Sequence, residues 1–508
     1  MARGRGWRGP VTGDAIAGVS VALVLIPQSL AYAALAGMPP ERGLYAAGIP
    51  LLVAAPLASS PYLQTGPTAV TGLLTFGALS GLATPGSDRY VALGLALALI
   101  VGLVRVLVGA LRAGVVAYLM SSPMLMGFVP AATLLILASQ LPTAAGVSPP
   151  DGGILEQAAW TLANVGEWAP AAVALTALVL LAMFGGRRLH PLFPGVLVAV
   201  VAAIALSVGL DYGGATIGDI DAGLPPLSLD LPLGAVPSLL AGGAVIALVG
   251  FTEPASIARA FAARDRTTWS PNREFVSQGA ANVAAGLCGG FPVGGSFSRS
   301  SLNREAGARS AWSGAITGAA VLAFLPVAFL LAPLPEAVLA AIVIGAVLPL
   351  IRVRPMLRLF PYSKPQFLIS AATFALTLAL APRLERAVLA GTALSIAVHL
   401  WRELRVDIRV WEEGGAVHLR PQGVLWFGAA QDLETRFLDI LAHHLDAKRL
   451  VLHLDGTGRL DLSGALALRS VCEEARRSGL QTEVLGVQDR DRRLVDGIVE
   501  SEQDPIGR

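Results

Sequence analysis

Charge is scarce in this chain of 508 residues: acids and bases together make up 14% of it, while 54% of positions are hydrophobic. So little charge cannot coat a water-soluble body of this length. Long apolar runs broken by short charged turns, from Val11 to about Leu400, mark a polytopic membrane protein. Cysteine is nearly absent. Cys288 lies in an apolar run and Cys472 in a charged segment, on parts of the chain that a membrane boundary should separate, so no disulfide framework is implied. The net charge of +2 is spread over membrane-flanking turns and the C-terminal region, which sets nucleic acid aside as a partner. Metal clusters, nucleophile–base pairs and phosphate loops are missing as well, which argues against an enzyme and calls for no cofactor or metal. The basic start MARGRGWRGP is not followed by a short apolar core with a small-residue cleavage site, so the run from Val11 is expected to be a retained first span.

Segments able to cross or half-cross a bilayer are expected near 11–36, 43–60, 66–81, 90–111, 115–141, 169–186 and 192–210. A second set falls near 236–262, 273–290, 296–307, 312–332, 336–351, 366–382 and 384–401. With the N-terminus in the cytoplasm, turns after even-numbered spans hold most of the basic residues, including Arg105, Arg112, Arg187, Arg188, Arg264, Arg273, Arg304, Arg352, Arg354, Arg358 and Lys364. Turns after odd-numbered spans hold only Arg42, Arg89, Arg383 and Arg386, and collect acids such as Asp151, Asp211, Asp219, Asp221 and Asp230. This asymmetry supports fourteen spans with both termini cytoplasmic, and the expected location is an inner (plasma) membrane. The halves also resemble each other. ALVLIPQSLAYAALA from Ala22 and ALVGFTEPASIARAF from Ala247 align at an offset of 225, which sets Gln28 against Glu253. Seven spans is an odd number, so the second repeat enters the membrane from the opposite side, an inverted repeat of the transporter kind.

From Arg405 the apolar runs stop, and residues 405–508 are expected to form a small α/β domain after a membrane domain of residues 1–404. AVHLRPQG, VLWFG, RLVLHLDG and LQTEVLGV are its expected strands; AAQDLETRFLDILAHHLDA and DLSGALALRSVCEEARRSG are its helices. Ser463, just before the second helix, is expected to be its N-cap.

Two membrane segments are too short and polar for ordinary spans: TGPTAVTGLLTFGALSG, from Thr65, and the stretch GGFPVGGSFSRSSLNREAG, from Gly289. Each opens on Gly or Pro breakers before small residues continue as helix. A helix that begins inside the membrane leaves its first N–H groups unpaired and presents about half a positive charge there. Two such ends meeting at the midplane make an anion site. Arg299, on the first turn of the second half-helix, adds a full charge, with Ser296 and Ser298 as donors or caps. The competing reading has Arg299 snorkelling to the interface beside Arg304 and Arg309. Glu253 also lies at depth: either it is a salt-bridge partner of Arg299 or a capped polar contact, or it is a titratable or cation-coordinating carboxylate. Gln28 and Tyr32, four residues apart, share a helix face just past a break at Pro27. Thr133, Ser139 and Gln140 are expected to serve packing.

The segments DAIAGVSVALVLIPQSLAYAALAGMPPERGLYAAGIP, GPTA and NREFVSQGAANVAAGLCGGFPVGGSFSRSSLNREAGARS, with the trailing α/β domain, resemble the SulP family of sulfate permease (solute-carrier-26 type) anion transporters. The resemblance implies an all-α membrane domain of fourteen spans with core and gate subdomains, a C-terminal STAS domain, and a homodimer. It also implies an elevator-type secondary transporter of a small anion, sulfate or a related oxyanion, with a dicarboxylate or bicarbonate symporter as the alternative. On it, the anion is bound by Gln28 and Tyr32 of span one, Thr68 of span three, and Ser298 and Arg299 of span ten; relatives often carry an aromatic residue in place of Thr68. Glu253 matches an acid used for the coupling ion, and its Pro254 and Ala255 neighbours favour a proton over sodium. Ser463 stands where bacterial anti-sigma-factor antagonists carry a phosphorylatable serine, although Leu462 departs from their pattern. A nucleobase permease of similar fold is disfavoured by the fixed cation. A receptor signalling through the STAS domain is the rival from another functional class.

Overall fold

The computed structural model describes residues 10–118, 120–190, 193–220, 223–227 and 231–499. Most of the basic N-terminal stretch, Asp221 and Asp230, and the tail from 500 lie outside the described residues, as do residues 119 and 192 of the expected fifth and seventh spans. Two compact units divide between Ala393 and Leu394.

In the first unit, α1 (Thr12–Leu35), α2 (Pro40–Leu57), α3 (Ala69–Leu79), α4 (Asp88–Ala110) and α5 (Ser122–Ala145) open the chain. The short α6 (Ile154–Ala163) precedes α7 (Pro170–Leu189) and α8 (Gly195–Gly209). The second half runs through α9 (Val236–Arg264), α10 (Pro271–Leu287), α11 (Phe297–Glu305), α12 (Trp312–Phe324), α13 (Glu336–Val347), α14 (Val353–Tyr362), α15 (Lys364–Ala379) and α16 (Leu384–Glu403), whose second half is counted in the other unit. All fourteen expected segments carry one of these helices; α6 and α14 are the additions. Six stretches among the described residues are long and apolar enough to cross a membrane by length and composition.

Helix contacts sort the unit into two groups. In the core, α4 packs on α10, α2 on α10 and α12, and α1 on α2 and α12. In the gate, α5 packs on α13 and α15, and α7 on α8 and α13. Small residues permit the tightest of these approaches. A Cβ on Gly102 of α4 would sit 2.6 Å from the backbone nitrogen of Val283, and one on Gly279 of α10 would sit 2.7 Å from that of Val106. Where both solvent and neighbour are apolar, close backbone packing of this kind is what holds helices together. Pro27 does not break α1, which runs unbroken through it.

The two half-helices are built as their breakers require. β1 (Thr65–Gly66) pairs antiparallel with β2 (Gly294–Gly295), in register Thr65 to Gly295 and Gly66 to Gly294. Each strand leads into a short helix: α3 with 11 residues and α11 with 9. At 1.5 Å per residue these span roughly 16 and 14 Å, about half of a hydrocarbon core. An antiparallel pair feeding two helices sends them in opposite directions, as an inverted repeat demands.

In the second unit, β3 (Asp407–Glu413), β4 (Ala416–Leu425), β5 (Arg449–His453) and β7 (Gln481–Leu485) lie in that order, and β6 (Thr457–Leu460) pairs with β4. β3 and β4 are antiparallel, and the other pairings are parallel. Leu433 and Phe437 of α17 (Phe427–His443) and Leu468, Val471 and Cys472 of α18 (Leu462–Arg477) share one core with Val417, Leu419, Leu450 and Leu452. The expected strands AVHLRPQG and VLWFG prove to be largely one strand, β4, while β3 and β6 went unread. The α18 cap also differs: the Asp461 carboxylate accepts from the Gly464 N–H at 2.8 Å, with Leu462 already helical, so Ser463 sits inside the first turn. Asp461 wins because its extended backbone aims its side chain at the open end of the helix, which a residue already in the helix cannot do.

Candidate functional site

Thr68 is the N-cap of α3, and it is nearly buried at 6% exposure. Its Oγ1 accepts from Thr71 N–H at 3.2 Å, and the Thr68 N–H donates to Thr71 Oγ1, also at 3.2 Å, a reciprocal box that ties down the first turn. The start of α11 is finished differently. Ser296 is the N-cap, but its side chain makes no capping bond to a backbone N–H; its hydroxyl lies 3.2 Å from that of exposed Ser298. The N–H of Phe297 is instead taken by Glu253 Oε1 at 2.9 Å, reaching over from α9. Of the readings open for Glu253, the capped contact is the one seen, and an acid there opposes the positive end of the α11 dipole.

Arg299 is buried to 1% exposure, which removes the snorkelling reading. Its Nη2 donates to the Pro67 carbonyl at 2.8 Å, just before α3, and its Nη1 reaches Gln28 Oε1 on α1 at 3.5 Å. Nε has no hydrogen-bond partner among the described residues, and no carboxylate there lies within 4.0 Å of the guanidinium. The cation therefore joins α11 to the head of α3 without a direct ion pair. Tyr32, one turn beyond Gln28 on α1, is buried at 4% exposure within electrostatic range of both Arg299 and Glu253. The structure thus gathers Gln28, Tyr32, Thr68, Arg299 and Glu253 about the two half-helix ends, with Ser298 at their edge. Ser463 belongs to the other unit.

The scaffold behind this site was not read from the sequence. Gln278 and Asn282, four residues apart on α10, hold β1 and the residue just before β2. Gln278 donates to Thr65 Oγ1 at 2.6 Å, while Asn282 accepts from Val293 N–H at 2.9 Å and donates to its carbonyl at 3.0 Å. Two amides at helical spacing inside an apolar span were the available signal. Arg105, expected in a cytoplasmic turn, is a fully buried residue of α4. It donates to the carbonyls of Ala247 at 3.0 Å, Val293 at 2.9 Å and Ile246 at 3.2 Å. Those acceptors lie far along the chain, so spacing near Arg105 could not reveal them. Thr133 and Ser139 donate to the carbonyls of Val129 and Ile136 within α5.

The Sulfate permease family model matches residues 11–373, and a STAS domain model matches 407–499. The chain belongs to the sulfate permease family. It is a multi-pass membrane anion transporter with a C-terminal STAS domain, and not an enzyme. A probable sulfate transporter of Mycobacterium tuberculosis is 34% identical over 500 residues, covering 92% of this chain and 88% of the relative. A sodium-independent sulfate anion transporter of Bos taurus is 29% identical, covering 94% and 83%. Among solved structures, the transmembrane domain of the cyanobacterial bicarbonate transporter BicA aligns at TM-score 0.65 and 26% identity, over 74% of this chain and 97% of its own. The murine solute carrier 26 member A9 anion transporter, inward-facing, aligns at TM-score 0.87 and 20% identity over 98% and 88%, a likeness of fold alone.

Proposed function

We propose that this protein is a secondary active transporter of a small oxyanion, sulfate first, working by an elevator movement of the core against the gate. The observation that carries the reading is the meeting of the α3 and α11 N-termini at the β1–β2 pair beside a buried Arg299 that makes no direct ion pair. An anion seated there meets two helix ends, each with about half a positive charge, and the field of the guanidinium, with water excluded. Thr68 and Ser298 supply hydroxyl donors, and Gln28 and Tyr32 close the wall. Because Arg299 Nη2 is committed to Pro67, the arginine acts chiefly through its field and by fixing α3 to α11.

Glu253 is the proposed proton carrier. Ionised, it partly neutralises the α11 end where the anion sits; protonated, it removes a negative charge from beside the substrate. Proton and anion then favour each other's binding, which is the linkage a symporter needs. Residues 1–404 carry transport in this reading, and 405–508 form a cytoplasmic STAS unit in a homodimer of an inner membrane, with both termini cytoplasmic. Ser463 is its proposed regulatory phosphorylation site.

Bicarbonate is the second reading, favoured by the likeness to the bicarbonate transporter's membrane domain. Uptake of radiolabelled sulfate, bicarbonate, fumarate and succinate into proteoliposomes, with and without an inward proton gradient, tests both. Sulfate accumulation that follows the gradient is expected; accumulation of bicarbonate alone would transfer the site to the second reading.

A further inference from the structure

Between α13 and α15 the chain does not turn straight back. The backbone leaves the helical region at Ile351 (ψ 83°) and Arg352 (ψ 77°), and the ten residues VRPMLRLFPY then form α14. It packs on α5 and α15. Met356 is its buried residue and Leu359 is half-buried. Leu357 and Phe360 are each 54% exposed, although the Phe360 ring meets Phe367 of α15 edge-on with centroids 5.2 Å apart. At 100° per residue these apolar side chains share one side of the helix. Arg354 and Arg358, both exposed, lie together on the other.

The charge is unbalanced. Arg352, Arg354, Arg358 and Lys364 fall within thirteen residues, and no acid occurs in the sequence between Glu336 and Glu385. None of the four joins an ion pair among the described residues. A short helix at the end of two membrane segments, with bulky apolar groups on one face and free guanidinium groups on the other, has the chemistry of an interfacial helix. Guanidinium forks match phosphate oxygens in pairs.

We propose that α14 binds anionic phospholipid headgroups, with Leu357 and Phe360 seated among the acyl chains and Arg354 and Arg358 on the lipid phosphates. The helix then anchors the gate element formed by α5, α13 and α15 to the membrane surface. This inference rests on the helix and its charge alone, independently of which anion is carried.

The test uses the full chain in bilayers, with a fluorophore on Leu357→Cys; the native Cys288 and Cys472 are buried and resist labelling. Brominated acyl chains are placed either on phosphatidylglycerol or on phosphatidylcholine at the same overall composition. Stronger quenching by the brominated phosphatidylglycerol is expected. Arg354→Gln with Arg358→Gln should leave quenching by both lipids but lower the preference about 30-fold, at about a factor of five to six per arginine. Arg354→Lys with Arg358→Lys should keep most of it. Equal quenching by the two lipids in the unmutated background, or a preference unchanged in the glutamine variant, overturns the proposal. Absence of quenching by either lipid would remove α14 from the membrane and point to a protein partner. Loss of the preference on adding inorganic phosphate would assign the arginines to a free anion instead.

Discussion

Replacing Glu253 by glutamine separates its two roles. Glu253 Oε1 accepts the Phe297 N–H at 2.9 Å, and a glutamine carbonyl can do the same, so the α11 cap and the fold should survive. What disappears is the proton that Glu253 is proposed to exchange. With one proton carried per turnover and the membrane potential clamped at zero, each pH unit of gradient is equivalent to about 1.4 kcal/mol. Two units inward-directed, acidic outside, therefore support roughly 100-fold accumulation by the unmutated protein, and the glutamine variant should equilibrate near unity. Exchange of external for internal sulfate should persist in the variant, because the two helix ends and Arg299 remain. Radiolabelled sulfate flux into proteoliposomes measures both modes. Glu253→Ala removes the cap as well and should cost about 1 kcal/mol of thermal stability, which glutamine should not. Full gradient-driven accumulation by Glu253→Gln would refute the proton role, and sodium-dependent accumulation by the unmutated protein would reassign the carboxylate to a cation.

Thr68→Val removes the reciprocal cap of α3 and should lower stability by about 1 kcal/mol and weaken sulfate uptake, whereas Thr68→Ser should preserve both; thermal unfolding in detergent and initial uptake rates check this. Arg105→Leu leaves the carbonyls of Ile246 and Ala247 without their side-chain donor and that of Val293 with Asn282 alone, so unfolding should shift down by several kcal/mol with no direct effect on substrate affinity in any protein that remains folded. Asp461→Ala should destabilise the STAS unit by about 1 kcal/mol while Ser463→Ala stays within about 0.5 kcal/mol, as read from unfolding of the full chain.

Much of this arrangement is legible along the chain because its determinants are local. The breakers before Ala69 and Phe297 announce helices that start in mid-membrane, and alternating apolar runs announce the STAS strands. Thr68 entered only through the family resemblance, not through a reading of its own position. Partners that are distant in sequence were not. Glu253 meets the N–H of a residue 44 positions away, and Arg105 meets carbonyls more than 140 positions on. Two-residue strands such as β1 and β2 carry no periodicity at all; their pairing follows from the inverted halves, not from composition. Asp461 and Ser463 are both good capping residues, and only backbone geometry decides between them. The α14 helix was hidden because its arginines read as an ordinary charged turn.

The claim at the centre is that Arg299 and the two half-helix ends hold the anion. Sulfate binding to the purified, unreconstituted protein, measured by calorimetric titration on the unmutated chain and on Arg299→Gln, tests it without any flux. Removing one buried charge facing an anion should cost about 2 to 5 kcal/mol, a loss in affinity of at least about 30-fold, with Arg299→Lys in between. A folded Arg299→Gln protein that binds sulfate as tightly as the unmutated one would contradict the account.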